Sequence, residues 1–159
     1  MQSIPFVINL KFIISQVLVK VQRIDKNLTL PIYETGGSVG FDLLARVETK
    51  IPPREIALVP GNVIVEVPTG FTLLIVSRSS TPKKRGLIMP HGLGIIDQDY
   101  CGPEDEVKIQ VQNFTEKEVV IERGAKIAQG IFVRAEQAKF EEVIEIKNKT
   151  RGGFGSTGK

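Results

Sequence analysis

The stretch Gly92-Leu93-Gly94-Ile95-Ile96-Asp97-Gln98-Asp99-Tyr100-Cys101-Gly102 puts an acid and a tyrosine on a turn flanked by glycines. Apolar Ile95 and Ile96 deliver Asp97 to that turn, and an Asp held there can act as general base toward a water. Asp97, Asp99, Glu104, Asp105 and Glu106 form an acidic group, but their spacing does not match the calcium loop of an EF-hand, and no helical patterns flank them. A second segment, Ser77-Arg78-Ser79-Ser80, places a cation among three hydroxyls. That composition suits a phosphate, with Arg offering a planar fork of donors. A helix cap would use Ser79 or Ser80 equally well. A third, Gly40-Phe41-Asp42-Leu43-Leu44-Ala45, sets an acid in an apolar run, which alone reads as a bulge or turn. The fourth, Arg123-Gly124-Ala125-Lys126-Ile127-Ala128-Gln129, is a turn leading into a strand that carries a polar Gln. By itself it reads as a hairpin with solvated charges.

The terminal Arg151-Gly152-Gly153-Phe154-Gly155-Ser156-Thr157-Gly158-Lys159 holds four glycines, two hydroxyls, two cations and one aromatic. Glycines let backbone N–H groups wrap an anion, and the hydroxyls and cations complete a phosphate cradle. Gly153 to Lys159 fits G-x-x-x-x-G-K, but no Ser or Thr and no helix follow Lys159 in the sequence, so a phosphate loop of that kind is not expected. Gly/Ser-rich termini commonly have no binding role at all. Phe154 argues otherwise, because a linker has little use for an aromatic. Taken together the segments supply an acid for magnesium, an Arg/Ser phosphate site, a base with a Tyr, a Gln and a phosphate-closing tail. That inventory fits hydrolysis of a nucleoside triphosphate.

The elements that must position these groups are strands. Val107, Ile109 and Val111 alternate with Lys108, Gln110 and Gln112, the period of a half-buried strand. Val17, Val19 and Val21 alternate with Leu18, Lys20 and Gln22, and Val63, Val65 and Val67 with Ile64 and Glu66. Further apolar β-rich runs cover 56–59, 71–76, 119–121, 127–133 and 140–146, separated by Gly/Pro turns at 36–38, 52–53, 60–62, 68–70 and 123–124. Short strands at such spacing predict a sandwich, jelly roll or small barrel. The best place for a short helix is 79–86, limited by Pro82. The 159 residues make one domain, large enough to bury roughly 68–70% of the unfolded surface.

The formal net charge of +3 is mildly basic and suits an anionic small substrate. Charges spread along the chain without a basic stripe, which argues against nucleic acid as a partner. The lone Cys101 excludes an internal disulfide and a cysteine zinc site, and with a single His91 a transition-metal site is not expected. A reducing, cytoplasmic setting is the default expectation. The apolar stretch 4–14 is interrupted by Asn9 and Lys11 and is too short to span a bilayer, so no membrane association is expected. Residues 1–16 read as an extension or additional strand of uncertain role, 17–147 as the β domain and 148–159 as the closing tail.

Five ordered motifs, GFDLLA, SRSS, GLGIIDQDYCG, RGAKIAQ and RGGFGSTG, lie between about Val17 and Lys159, nearly the whole chain. In this order they resemble those of the trimeric deoxyuridine triphosphatases (dUTP diphosphatases). The resemblance implies an all-β, distorted jelly-roll or β-clip-like barrel. It also implies a homotrimer with active sites at subunit interfaces, the tail of one subunit closing over a neighbour's site. The implied activity is magnesium-assisted hydrolysis of dUTP to dUMP and diphosphate, which limits uracil in DNA and supplies dUMP for dTMP synthesis. On this resemblance Asp97 activates the attacking water and touches the sugar 3′-hydroxyl. Tyr100 packs beneath the deoxyribose, leaving no room for a 2′-hydroxyl. Backbone groups of the hairpin Gly92, Gly94, Ile95 and Ile96 read the uracil edge. Arg78, Ser79, Ser80 and Gln129 bind phosphate, and Asp42 holds Mg2+ through water. Phe154 stacks on the uracil, with Ser156 and Thr157 on the γ-phosphate, and Gly155 is among the substrate-binding residues.

The chain departs from the family in places. The family's tail Arg stands five residues before the aromatic, where this chain has Lys149, whereas Arg151 stands three before Phe154. The γ-phosphate contact falls to one of these two cations. The loop 101–106 (CGPEDE) is longer and more acidic than the family's short turn, and His91, where Asn or a small residue is frequent, is given no chemistry. Two rivals remain. A dCTP deaminase shares the fold but needs a Glu where this chain has Gln110, and Gln cannot shuttle protons. A non-catalytic nucleotide-binding regulator would be expected to lack Asp97, Tyr100 or the tail.

Overall fold

In the computed structural model, which describes residues 17–153, eleven strands and one short helix fold into four antiparallel sheets. The strands are β1 (Lys20–Arg23), β2 (Phe41–Leu44), β3 (Thr49–Ile51), β4 (Ile56–Pro60), β5 (Val63–Glu66), β6 (Phe71–Ser77), β7 (Leu87–Ile88), β8 (Gly94–Ile96), β9 (Lys108–Asn113), β10 (Val119–Ile121) and β11 (Lys126–Arg134); α1 is Thr81–Arg85. The sheet orders are β1-β5, β10-β3, β2-β11-β6-β8 and β4-β9-β7. This is the all-β fold expected from the spacing of the strands, in the jelly-roll-like form that the resemblance implies. Among the described residues no helix is long and apolar enough to cross a membrane.

The sheets close on one core. Leu43, Leu73, Ile75 and Ile127 come from the four-stranded sheet, Val59, Ile109, Val111 and Leu87 from the three-stranded one, and Val63 and Val65 from β5. In β9 the alternation holds, with Ile109, Val111 and Asn113 inside. Buried Asn113 is admitted because its amide donates to the carbonyls of Ile51, Pro52 and Lys117, and its oxygen accepts from Thr115; a buried amide without such partners would be costly. β5 differs from its expected alternation: Val63, Ile64 and Val65 are all buried. A strand covered on both faces reads as a continuous apolar run.

Two further expectations are corrected. Residues 140–146 form no strand; Phe140, Ile144 and Ile146 stand exposed, at 92%, 108% and 72%. Among the described residues no strand lies beside them, and a strand exists only by pairing. The first strand starts at Lys20 and not at Val17, because β5 offers partners only for residues 20–23. The helix within 79–86 is confined to Thr81–Arg85: Pro82 sits in its first turn and Gly86, at φ 66°, ends it.

The longest ladder, seven pairs between β6 and β11, carries the site. Gly130 lies in it because a Cβ there would sit 2.4 and 2.6 Å from ring atoms of buried Phe41. Gly130→Ala is expected to destabilise the fold by about 1–3 kcal/mol, the usual cost of overpacking. Urea unfolding measures it; an unchanged midpoint would show that Phe41 moves aside freely.

Candidate active site

Two groups of polar residues gather on the β2-β11-β6-β8 sheet. The first stands where β6 ends. β11 lies between β2 and β6, and its register sets Gln129 opposite Asp42 on one side and opposite Val76 on the other. Residues directly opposite in an antiparallel pair project from the same face, so Asp42 and Gln129 share a face. Arg78 follows β6, and its Nε lies 2.9 Å from Asp42 Oδ1. Lys126 Nζ lies 3.0 Å from Asp42 Oδ2 and also pairs with Glu34. Glu34 and, next, Asp42 raise the pKa of the Lys126 ammonium above its ordinary value, so it stays charged.

Asp42 is only 5% exposed, and neither of its oxygens accepts a hydrogen bond. Its close partners are the Arg78 guanidinium and the Lys126 ammonium, which compensate the charge of its buried carboxylate. Arg78 also donates to the Lys126 carbonyl across 3.4 Å. Ser79 is exposed, and Ser80 occupies the N-cap position of α1 without using its hydroxyl as a cap. The cap reading of these serines is therefore not realised, which leaves both hydroxyls beside Arg78 free of the helix.

The second group is the hairpin entering β8. Its turn is closed by Gly92 N–H donating to Met89 O and Leu93 N–H to His91 O, each 3.0 Å. Gly92 has φ 79°, a conformation that favours glycine. Gly94, Ile95 and Ile96 pair with Ile75, Leu74 and Leu73. Thr72 Oγ1 donates to Ile96 O across 3.1 Å, fixing the residue before Asp97. Exposed Asp97 then opens a turn in which its carbonyl accepts the Tyr100 N–H. The Tyr100 hydroxyl donates to the Glu106 carbonyl, 3.2 Å.

Within one chain these groups do not meet. The β8 register continues to place Asp97 level with Thr72, whereas Arg78 lies six residues further along β6. At about 3.3 Å per residue that is roughly 20 Å. Arg151 is exposed, beyond the last strand. Phe154, Gly155, Ser156 and Thr157 lie outside the described residues.

Sequence reasoning missed Lys126 and Glu34. Three positions before Gln129, Lys126 belongs by simple alternation to the opposite face. A bulge in the β11–β2 register between Lys126 and Ala128 pairs Lys126 with Leu44 and turns it toward Asp42.

As a metal ligand Asp42 stands alone: among the described residues no group of three or more His, Cys, Asp or Glu side chains could hold an ion. One buried carboxylate without hydrogen bonds fits a magnesium ion that keeps its waters and arrives on substrate phosphates.

The dUTPase family profile matches residues 26–158. The deoxyuridine 5'-triphosphate nucleotidohydrolase of Brucella melitensis is 42% identical over 139 residues, 84% of this chain and 87% of the relative. The crystal structure of dUTPase from Streptococcus mutans superposes with TM-score 0.69 at 32% identity, over 76% of this chain and 98% of that one. The dUTPase of Staphylococcus bacteriophage 80alpha, solved with dUPNHPP, has TM-score 0.80 at 24% identity, over 90% and 99% of the two chains, and shows likeness of fold. The chain belongs to the dUTPase family.

Proposed function

We propose that this chain hydrolyses dUTP to dUMP and diphosphate in a homotrimer whose sites lie between subunits. The observation that carries the composite site is the roughly 20 Å along β6 between Asp97 and Arg78. A base and a phosphate clamp that far apart in one chain can serve one triphosphate only if different copies supply them. The exposed apolar run 140–146 supports the same assembly, since none of the described residues covers Phe140, Ile144 and Ile146.

In this reading Asp97 takes the proton of the attacking water, and attack at the α-phosphorus releases diphosphate. Arg78, Ser79, Ser80 and Gln129 hold phosphate oxygens on which charge grows during the reaction, where preplaced donors have their largest effect. The hairpin Gly92–Ile96 reads uracil through backbone groups, and the ring of Tyr100 lies beneath the deoxyribose. Asp42 would hold a water of Mg2+, whose contribution when bound is to neutralise phosphate charge. The tail 148–159, with Lys149 or Arg151 on the γ-phosphate and Phe154 on uracil, closes the site over substrate and excludes water. The domain proper is 17–147. The setting is cytoplasmic, and the partners are dUTP and further copies of the chain.

Mixing inactive subunits tests the shared site. Asp97→Asn and Arg78→Ala homotrimers are each expected to be inactive. Unfolded and refolded together, they should regain dUTP hydrolysis, because some sites then combine an intact Asp97 with an intact Arg78. Failure of the mixture, with refolded wild type active, would put both residues in one subunit's site.

A further inference from the structure

The acidic loop 101–106 has one buried carboxylate, and it belongs to a residue to which the reading above gives no role. Glu106 is 8% exposed. Its two oxygens receive the guanidinium fork of Arg46, Nε at 2.8 Å and Nη2 at 2.9 Å. The first of these oxygens also accepts the backbone N–H of Asn62, 2.9 Å. Asn62 itself is held at φ 67°, a strained conformation for a non-glycine residue, and its side-chain oxygen accepts the Asp25 N–H. The next residue continues the lock: Val107 N–H donates to Val63 O, and Val107 O accepts from Gly61, each 2.8 Å. The Glu106 backbone is thus fixed by its side chain and by its neighbour.

That fixed backbone is what Tyr100 touches, since the Tyr100 hydroxyl donates to the Glu106 carbonyl. Between them Gly102 N–H donates to Asp105 Oδ2 at 2.7 Å, folding the intervening loop on itself. Asp99 and Glu104 are exposed.

We propose that Glu106, clamped by Arg46, is the positioning residue that holds the Tyr100 ring in place and so sets discrimination between deoxyribose and ribose triphosphates. The proposal rests on the reading in which that ring lies beneath the sugar. A ring held at both ends cannot yield to an added 2′-hydroxyl; one released at its hydroxyl can. A misplacement of this kind is expressed as a loss of selectivity.

The test is the ratio of kcat/KM for dUTP to that for UTP in the full-length enzyme. This ratio is unaffected by the fraction of protein that folds, so it separates positioning from simple loss of stability. Glu106→Ala and Arg46→Met are each expected to lower it roughly tenfold, about the effect of losing one charge-supported contact. Tyr100→Ala should lower it further. If Tyr100→Ala lowers the ratio but neither other variant does, the Glu106 proposal is overturned and the sugar reading of Tyr100 stands. If only Arg46→Met leaves it unchanged, the hold comes from the Asn62 bond and the ion pair has no part, which also overturns the proposal as stated. An unchanged ratio in Tyr100→Ala removes the reading on which the proposal rests.

Discussion

Asp97→Asn should abolish turnover of dUTP while leaving dUTP binding nearly intact. Asp97 is exposed at the end of β8, and its backbone is set by the Thr72 bond to Ile96 O and by its own bond to Tyr100. Asn keeps the shape and the backbone bonds but cannot take a proton from water. General-base catalysis contributes about 10²–10⁴-fold, so kcat should fall by at least that lower bound. Binding should survive because the other groups assigned to base, sugar and phosphate lie elsewhere, and an Asn in place of Asp97 can still meet the sugar 3′-hydroxyl. Single-turnover kinetics and calorimetric titration measure the two separately. Near-normal kcat would remove Asp97 from its role, whereas lost binding with kcat intact would make it a binding group only.

Removing residues 151–159 should cut kcat on the order of a hundredfold or more and leave a folded trimer. The magnitude follows from losing several phosphate donors together, each able to contribute that much in a water-excluded site. The described part of the tail supports an intact fold: Arg151, Gly152 and Gly153 are exposed and follow the last strand by many residues. Circular dichroism and sedimentation should therefore match the full chain. An unaffected rate would return the tail to an inert, glycine-rich terminus. A monomeric or unfolded product would show that the tail holds the assembly together.

Much of this architecture was legible because a half-buried strand has a period of its own. β9, β10 and β11 lie where alternating or β-branched runs placed them, and α1 falls between its Pro and Gly signals. The short strands β2, β3, β7 and β8 were not separately legible, since no alternation or β-branched run marks them as β10 is marked. Residues 140–146 carry a β pattern without a strand, because pairing is decided by partners and not by propensity. The site shows the same division. Asp42 and Gln129 stand out as polar residues in apolar runs and Arg78 as a cation among serines, and the register of β11 brings Asp42 and Gln129 opposite each other. Lys126 was hidden by a one-residue bulge, which reverses the face that alternation assigns. Glu106 was hidden among four other acids, and its burial and its contacts with Arg46 and Asn62, distant in sequence, distinguish it.

A turnover assay with magnesium, offering dUTP, dCTP, dTTP and UTP separately and resolving the products by chromatography, tests the hydrolase assignment. Conversion of dUTP alone to dUMP and diphosphate is the predicted result, and it reports reaction, base choice and sugar choice together. Release of dUTP or dUMP from dCTP would contradict the exclusion of deamination drawn from Gln110. Absence of turnover with all four would contradict the hydrolase assignment and leave a nucleotide-binding protein.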